Sequence, residues 1–365
     1  MRLLTKHTSV SVYRRSIHCL KFCALLGLCL LSLTPVVSQT KTDKDRDRLL
    51  GPVKSVEAHI IDFLSQDNRQ VELGRPLHIT TYNTDGNISE QTLFDANRTI
   101  SARHVYTYDA NGRSTGYEEY NALADKTLSI ARRHVYTLNE KGRRVEYIVL
   151  ETNGSVGSRS VYKYDAKGNL TEQQWYLHTG RLSSRMVYTF DEKGNQTSQA
   201  SYEADGALNW KNSSKYDDSG NKIESLQYYG NTIRYKVLYR YDGKGRILEQ
   251  EIAEFNIRPG VFPDAPQPGK VVYTYDDARR SKEVVTYGLD GTLNGKAAYV
   301  YDDRNNEIQL KLFDADGSLK NGETRIFNIE YDSHGNWTRK THLVQSDKGG
   351  PPQTYFVERR VITYY

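Results

Sequence analysis

Aromatic and polar residues alternate in short runs along this chain, and each run stops at an aspartate or asparagine. In Val187-Tyr188-Thr189-Phe190 and Val272-Tyr273-Thr274-Tyr275, aromatics stand one and three residues ahead of Asp191 and Asp276, with a polar residue between them. Successive side chains on a strand point to opposite faces, so these aromatics share a face. Tyr, Phe, Val and Thr also suit a pleated, half-buried surface. The pattern predicts a strand that ends at the acid.

The strand ends recur. The turn residues are Asn83, Asp109, Asn139, Asp165, Asp191, Asp217, Asp242, Asp276, Asp302 and Asp332, and five of the nine steps between them are 26 residues. A fixed period implies one small supersecondary unit stacked many times, each copy shielding the next. Glycine follows three residues later in eight of the ten copies, including Gly112 after Asp109, Gly168 after Asp165, Gly194 after Asp191, Gly245 after Asp242 and Gly335 after Asp332. Asp or Asn accepts a backbone N–H two residues on, and Gly supplies the left-handed residue of a type I turn with a G1 bulge. Asn305 takes the glycine slot in a ninth copy, and Arg279 in the tenth predicts a different turn. The next position is Asn or Arg in all ten copies, which turn geometry alone does not explain.

A second strand then leads to a second tight turn, as in Asp205-Gly206-Ala207-Leu208, Asp290-Gly291-Thr292-Leu293 and Asp316-Gly317-Ser318-Leu319. Each unit is thus two antiparallel strands and two turns. About ten units of about 26 residues predict an all-β fold: tandem hairpins in one long antiparallel sheet of about twenty strands, coiled into a superhelical ribbon or partial shell. The alternative is a β-propeller with two units per blade. That would make alternate copies differ, and no such alternation is visible.

The Tyr-X-Tyr-Asp-X-X-Gly-Arg/Asn core, with its Asp-Gly-X-Leu turn, resembles the YD repeat of the RHS-repeat family over nearly all of the chain after residue 52. Asp242-Gly243-Lys244-Gly245-Arg246 and Asp109-Ala110-Asn111-Gly112-Arg113 match best. The resemblance implies hairpins wound into a spiral sheet, in some members a shell around a toxin, and for some members carbohydrate binding or cell–cell contact. Ten units are too few for such a shell, the chain ends on a strand with no toxin domain after it, and no self-cleavage motif is visible. Encapsulation is not expected.

Residues 1–38 read as a secretory signal peptide of the Sec type: Arg14, Arg15 and Lys21, an apolar run from Phe22 to Leu33, then Val36-Val37-Ser38 as the exit. The expected location is secreted, periplasmic or at the outer surface, with no transmembrane span after cleavage. Removal of this segment changes the composition. All three cysteines lie within it, along with five basic residues and no acidic one, leaving 45 basic and 45 acidic residues. An exported chain without cysteine must be held by packing alone, and a neutral one lacks the electrostatic footprint for nucleic acid. Residues 39–52 alternate in charge and read as a solvated linker; the repeat domain spans 53–365. Within it, residues 258–269 carry Pro259, Pro263, Pro266 and Pro268 and read as a loop insertion.

Catalytic chemistry is not visible. There is no Gly-X-Ser-X-Gly, phosphate loop or His-Glu-X-X-His. A row of single turn aspartates does not make the converging oxygen cage that calcium needs. His104 and His134 occupy equivalent positions in neighbouring copies, without a third residue at metal spacing. No cofactor and no metal is expected. The tyrosines offer amphipathic area for sugars or peptides, although pairs just before each Asp read first as a structural seam. Trp175, Trp210 and Trp337 lie outside that seam and are the ligand-binding candidates. The expected function is a non-catalytic exported protein whose extended surface binds carbohydrate or protein at a bacterial envelope. The alternatives are a structural protein associating through open sheet edges and, less in keeping with the sequence, an enzyme.

Overall fold

The computed structural model describes residues 42–66, 69–255 and 268–365. The signal segment 1–38 and the proline-rich residues 258–267 lie outside the described residues. The described chain belongs to one compact unit, 35–257 with 267–365.

It contains a short helix, α1 (Asp43–Arg46), and 22 strands. They are β1 (Val53–Gln66), β2 (Arg69–Tyr82), β3 (Ile88–Phe94), β4 (Ile100–Tyr108), β5 (Ser114–Ala122), β6 (Leu128–Leu138), β7 (Arg144–Glu151) and β8 (Val156–Tyr164). Next come β9 (Leu170–Leu177), β10 (Leu182–Phe190), β11 (Gln196–Glu203), β12 (Leu208–Tyr216), β13 (Lys222–Tyr229), β14 (Thr232–Tyr241) and β15 (Ile247–Glu254). The last are β16 (Gly269–Asp276), β17 (Ser281–Tyr287), β18 (Leu293–Tyr301), β19 (Glu307–Phe313), β20 (Leu319–Tyr331), β21 (Trp337–Ser346) and β22 (Gln353–Tyr364).

Every strand pairs antiparallel with its sequence neighbours, and β22 pairs with β1 from Val53–Tyr364 to Ile61–Val357. The sheet therefore closes into a barrel. This corrects the expected open ribbon or partial shell, and also the propeller: there is one continuous ring and no blades. Closure gives the first and last strands the partners that a free edge lacks. The open edges on which self-association was expected to rest are absent from the ring. Only β1 and β2 run past it, where residues 69–76 of β2 pair with β1 alone.

The ten Asp or Asn turns join β2 through β21 in pairs, and β22 with β1 forms an eleventh pair from which the turn is missing. Tyr364 stands where the pre-turn tyrosine of an eleventh unit would be. One rim carries the Asp turns; the other carries the Gly-X-Leu turns. Among the described residues a cluster of buried apolar side chains, Leu49, Val53, Val56 and Tyr82, with Ile88, Ile362 and Tyr364 against it, lies at this seam.

Residues 42–52, expected as a solvated linker, are fixed to the Asp rim. Thr42 caps α1, the Lys44 N–H donates to the Gly86 carbonyl at 2.9 Å, and Asp43 accepts from the Ile88 N–H at 2.8 Å. Asn336, 4% exposed, accepts from the Leu50 N–H at 2.7 Å and donates to the Leu50 carbonyl at 2.8 Å.

The turns behave as their residues dictate. In the Asp165 turn, the Gly168 N–H donates to the Asp165 carbonyl at 3.0 Å, and Gly168 is left-handed at φ 94°. Asn305 sits at φ 60° in the ninth copy. In the tenth, Arg280 rather than Arg279 is left-handed (φ 46°), so the turn is one residue longer. In six of the ten copies, those of Asp109, Asp165, Asp191, Asp217, Asp242 and Asp302, the structure also explains the Asn or Arg. Asp165 accepts the Asn169 backbone N–H on Oδ1 at 2.8 Å, and the Asn169 side-chain amide donates to Oδ2 at 2.9 Å. Arg113 does the same to Asp109 through Nε at 2.6 Å, and Arg246 to Asp242 at 2.7 Å. Asn and Arg are alike in carrying an N–H that reaches this second oxygen. Each knot holds its carboxyl below the ordinary range, for Asp165 chiefly through the Asn169 side chain and for Asp109 through the Arg113 backbone N–H.

Candidate functional site

The two faces of the sheet differ in chemistry. One carries charge ladders in which a carboxylate sits between cations of the two adjacent strands. Glu172 on β9 faces Lys163 of β8 at 2.7 Å and Arg185 of β10 at 3.8 Å. Glu224 on β13 faces Lys215 at 2.8 Å and Lys236 at 3.1 Å, and Glu249 on β15 faces Arg240 at 2.9 Å and Lys270 at 2.6 Å. Such a face belongs in water; a membrane barrel presents an apolar band to lipid.

Tyr120, Tyr176 and Tyr202 lie on the charged face beside Glu118, Arg159 and Arg185, whereas the other face carries the pre-turn tyrosines. Here groups two strands apart act on one another's ionisation: Tyr136 on β6 raises Tyr106 on β4 and Tyr162 on β8 raises Tyr188 on β10, while Lys340 on β21 favours the charged form of Glu307 on β19, in each case after burial as the largest cause. Side chains two strands apart converge on the concave side of a closed sheet, so this face lines the barrel.

Three sectors follow one another around the lining. The first is an aromatic–histidine cluster on β4 to β7. His134, 8% exposed, stacks on Tyr117 with centroids 3.9 Å apart. Its Nδ1 lies 2.7 Å from the Tyr147 hydroxyl and its Nε2 3.2 Å from Glu119. Burial lowers the His134 pKa despite Glu119 and pushes the Tyr147 phenol up to about 12. His104 and His134, equivalent in the repeat, do not meet; Tyr117 lies between them, 5.5 Å from His104. Among the described residues no group of three His, Cys, Asp or Glu side chains is placed to hold a metal.

The second sector spans β8 to β14. Its inner positions follow the cross-strand register through Ser160–Trp175–Ser184, Tyr162–Gln173–Met186–Ser201–Trp210 and Tyr188–Gln199–Asn212–Gln227–Tyr235. These are aromatic, amide, hydroxyl and thioether side chains, and none carries a charge at neutral pH. Trp175 and Trp210 are both here, half-buried, three strands and so about 14 Å apart. Tyr235 is 5% exposed, and its hydroxyl has no hydrogen-bond partner among the described residues.

The third sector, on β19 to β22, is charged. Arg360 lies over the Trp337 ring at 3.8 Å with Lys340 at 5.3 Å, and His342 meets Glu358 at 2.8 Å amid Phe327, Tyr355 and Phe356. The structure thus brings Trp175 and Trp210 onto one wall and places Trp337 elsewhere, beneath two cations. The turn residues Asp109, Gly112, Asp165, Gly168, Asp191, Gly194, Asp242, Gly245, Asp332 and Gly335 are at the rim and knot the hairpins. The uncharged wall itself was missed from the sequence. Carrying the two-residue alternation from each Tyr-X-Tyr into the following strand, with one residue skipped at the bulge, would have found it.

No family model matches the chain, and no curated protein does. Among solved structures, a crystal structure of TcdB2-TccC3-Cdc42 is similar over 85% of this chain and 17% of that one, with 12% identity and a TM-score of 0.40. A porin-like protein from Bacteroides uniformis is similar over 86% of this chain and 99% of that one, with 13% identity and a TM-score of 0.29. The chain spans only about a sixth of the first of these. Likenesses this distant carry no argument about activity or location.

Proposed function

We propose that this chain is a non-catalytic, exported binding protein of a bacterial envelope, and that the lining of its barrel on β8 to β14 binds glycan. The supporting observation is the composition of that wall: Trp175, Trp210, Tyr162 and Tyr188 interleaved with Gln173, Gln199, Asn212, Gln227 and serines. Sugar rings present C–H faces that stack on aromatic rings and hydroxyls that amides and serines can pair. A wall of this kind suits them better than it suits an ion or an apolar ligand. The unpaired Tyr235 hydroxyl adds a polar group in want of a partner. Export rests on the signal segment, and the YD-like repeat is in keeping with carbohydrate binding in the family it resembles. The barrel has no free ring edge, so sheet-edge assembly is the weaker reading.

Calorimetric titration of the protein lacking residues 1–38 with a panel of neutral oligosaccharides tests this. Saturable binding of at least one, weakened in Gln199→Ala and Asn212→Ala, is expected. Heat-silent titrations across the panel, together with binding of a peptide, would replace the glycan by a protein partner.

A further inference from the structure

Charged side chains are few on the lining from β8 to β18. Glu203 and Glu254 adjoin the far-rim turns, Lys222 on β13 stands opposite Tyr216 with its Nζ 5.9 Å from that ring centroid, and Lys282 stands at the equivalent position on β17. Lys282 is opposite Tyr275 on β16 and Tyr299 on β18. Its Nζ lies 5.1 Å from the Tyr273 ring centroid and 5.7 Å from that of Tyr299. Among the described residues no carboxylate is within ion-pair distance of it, whereas Glu172, Glu224 and Glu249 on the outer face each hold two cations. Burial lowers its pKa, and no neighbouring charge offsets this.

An ammonium group between two aromatic rings, without a counter-ion, is costly to keep unless something anionic comes to it. The rings hold the stem and leave the charge directed by its surroundings rather than by a partner. A carboxylate on a sugar already stacked against the neighbouring uncharged wall would supply that partner in a poorly hydrated setting, where a charge-assisted hydrogen bond is strong. We propose that Lys282 is the anion-recognising residue of the lining and that the glycan it selects is acidic, bearing a carboxylate of the uronic-acid type. This rests on the glycan-binding reading above and narrows it.

The test compares a uronate oligosaccharide with its methyl ester of the same length, by calorimetry, on the wild-type protein and on Lys282→Met. The free uronate should bind on the order of tenfold more tightly than the ester to the wild type, with the difference shrinking as salt is added. Lys282→Met should bind both alike and at the ester's affinity, which also shows that the variant is folded. Equal affinity of the wild type for both compounds, or a preference that survives in Lys282→Met, overturns the role of Lys282 and leaves glycan binding standing. Binding of neither compound nor any neutral glycan removes both readings.

Discussion

The Tyr365 hydroxyl donates to the main-chain carbonyl of Tyr82 at 2.6 Å, joining residues 283 positions apart across the seam of the barrel. The same seam holds Tyr364, which donates to Asp332 and accepts from the Asn336 side chain, and Tyr82, which donates to Asp47 at 2.6 Å. Tyr364 ties the last strand to the hairpin before it as Tyr331 ties its own to Asp302, and Tyr365 adds the bond across the seam.

Asn336 is the residue on which most of these contacts converge. Its amide serves both the N–H and the carbonyl of Leu50 as well as Tyr364. Asn336→Ala strands two backbone groups and should cost about 2–4 kcal/mol. Denaturant unfolding should show this as a lower midpoint. Asn221→Ala, in an internal turn where the amide meets only Asp217, should cost less.

Within the ring, the pre-turn tyrosine repeats one bond. Tyr164 donates to the Arg144 carbonyl at 2.8 Å, Tyr216 to Gln196 at 2.8 Å, Tyr241 to Lys222 at 2.8 Å and Tyr275 to Ile247 at 2.9 Å. Tyr164→Phe should lower stability by about 1 kcal/mol, and Phe190→Tyr, where the repeat itself lacks the hydroxyl, should leave it unchanged or raise it. Thermal melts of the two variants decide this.

The turn carboxylates set the acid limit. Asp165, Asp191 and Asp217 are held below the ordinary carboxylate range, in each case first by the asparagine four residues on. A depressed folded pKa stabilises the fold above the unfolded value, about 3.9, and that contribution is lost as pH falls through the folded one. Replacing the three by Asn, the residue found at 83 and 139, should flatten the fall in melting temperature below about pH 4.

The tyrosines set the alkaline limit by the opposite sign. Burial, with the Asp302 carboxylate beside it for Tyr331, pushes both Tyr147 and Tyr331 up to about 12. A raised folded pKa stabilises the protonated fold below the unfolded value of about 10, and this is lost as pH rises towards 12. Ultraviolet titration should therefore show most tyrosines ionising together with unfolding. Smooth titration near pH 10 with the strand spectrum intact would contradict it.

Much of this fold was legible because its rules are local. The Asp or Asn, the Gly or Asn three residues on and the alternation before them fix a hairpin within eight residues, and the structure forms the same turn at nine of the ten positions, all but Asp276. The Asn or Arg after each Gly was visible too, yet its reason was not, because the second carboxylate oxygen is free or taken only in three dimensions. Closure was out of reach. Pairing Val56 with Ile362 depends on the twist accumulated over twenty intervening strands, and a repeat reads the same in a ribbon and in a ring. Of the three tryptophans, Trp175 and Trp210 share a wall because their strands have matching register, while Trp337 stands opposite Tyr331 and beneath Arg360.

Intrinsic fluorescence of the three tryptophans tests the central claim, that the aromatic and amide wall on β8 to β14 is the binding surface, most directly. Titration with the glycan that binds most tightly should shift the emission of the wild type and of Trp337→Phe. The shift should be reduced in Trp175→Phe and in Trp210→Phe and lost, with at least tenfold weaker binding, in Trp175→Ala/Trp210→Ala. A shift that follows Trp337 alone, or undiminished affinity in the double variant, would contradict it.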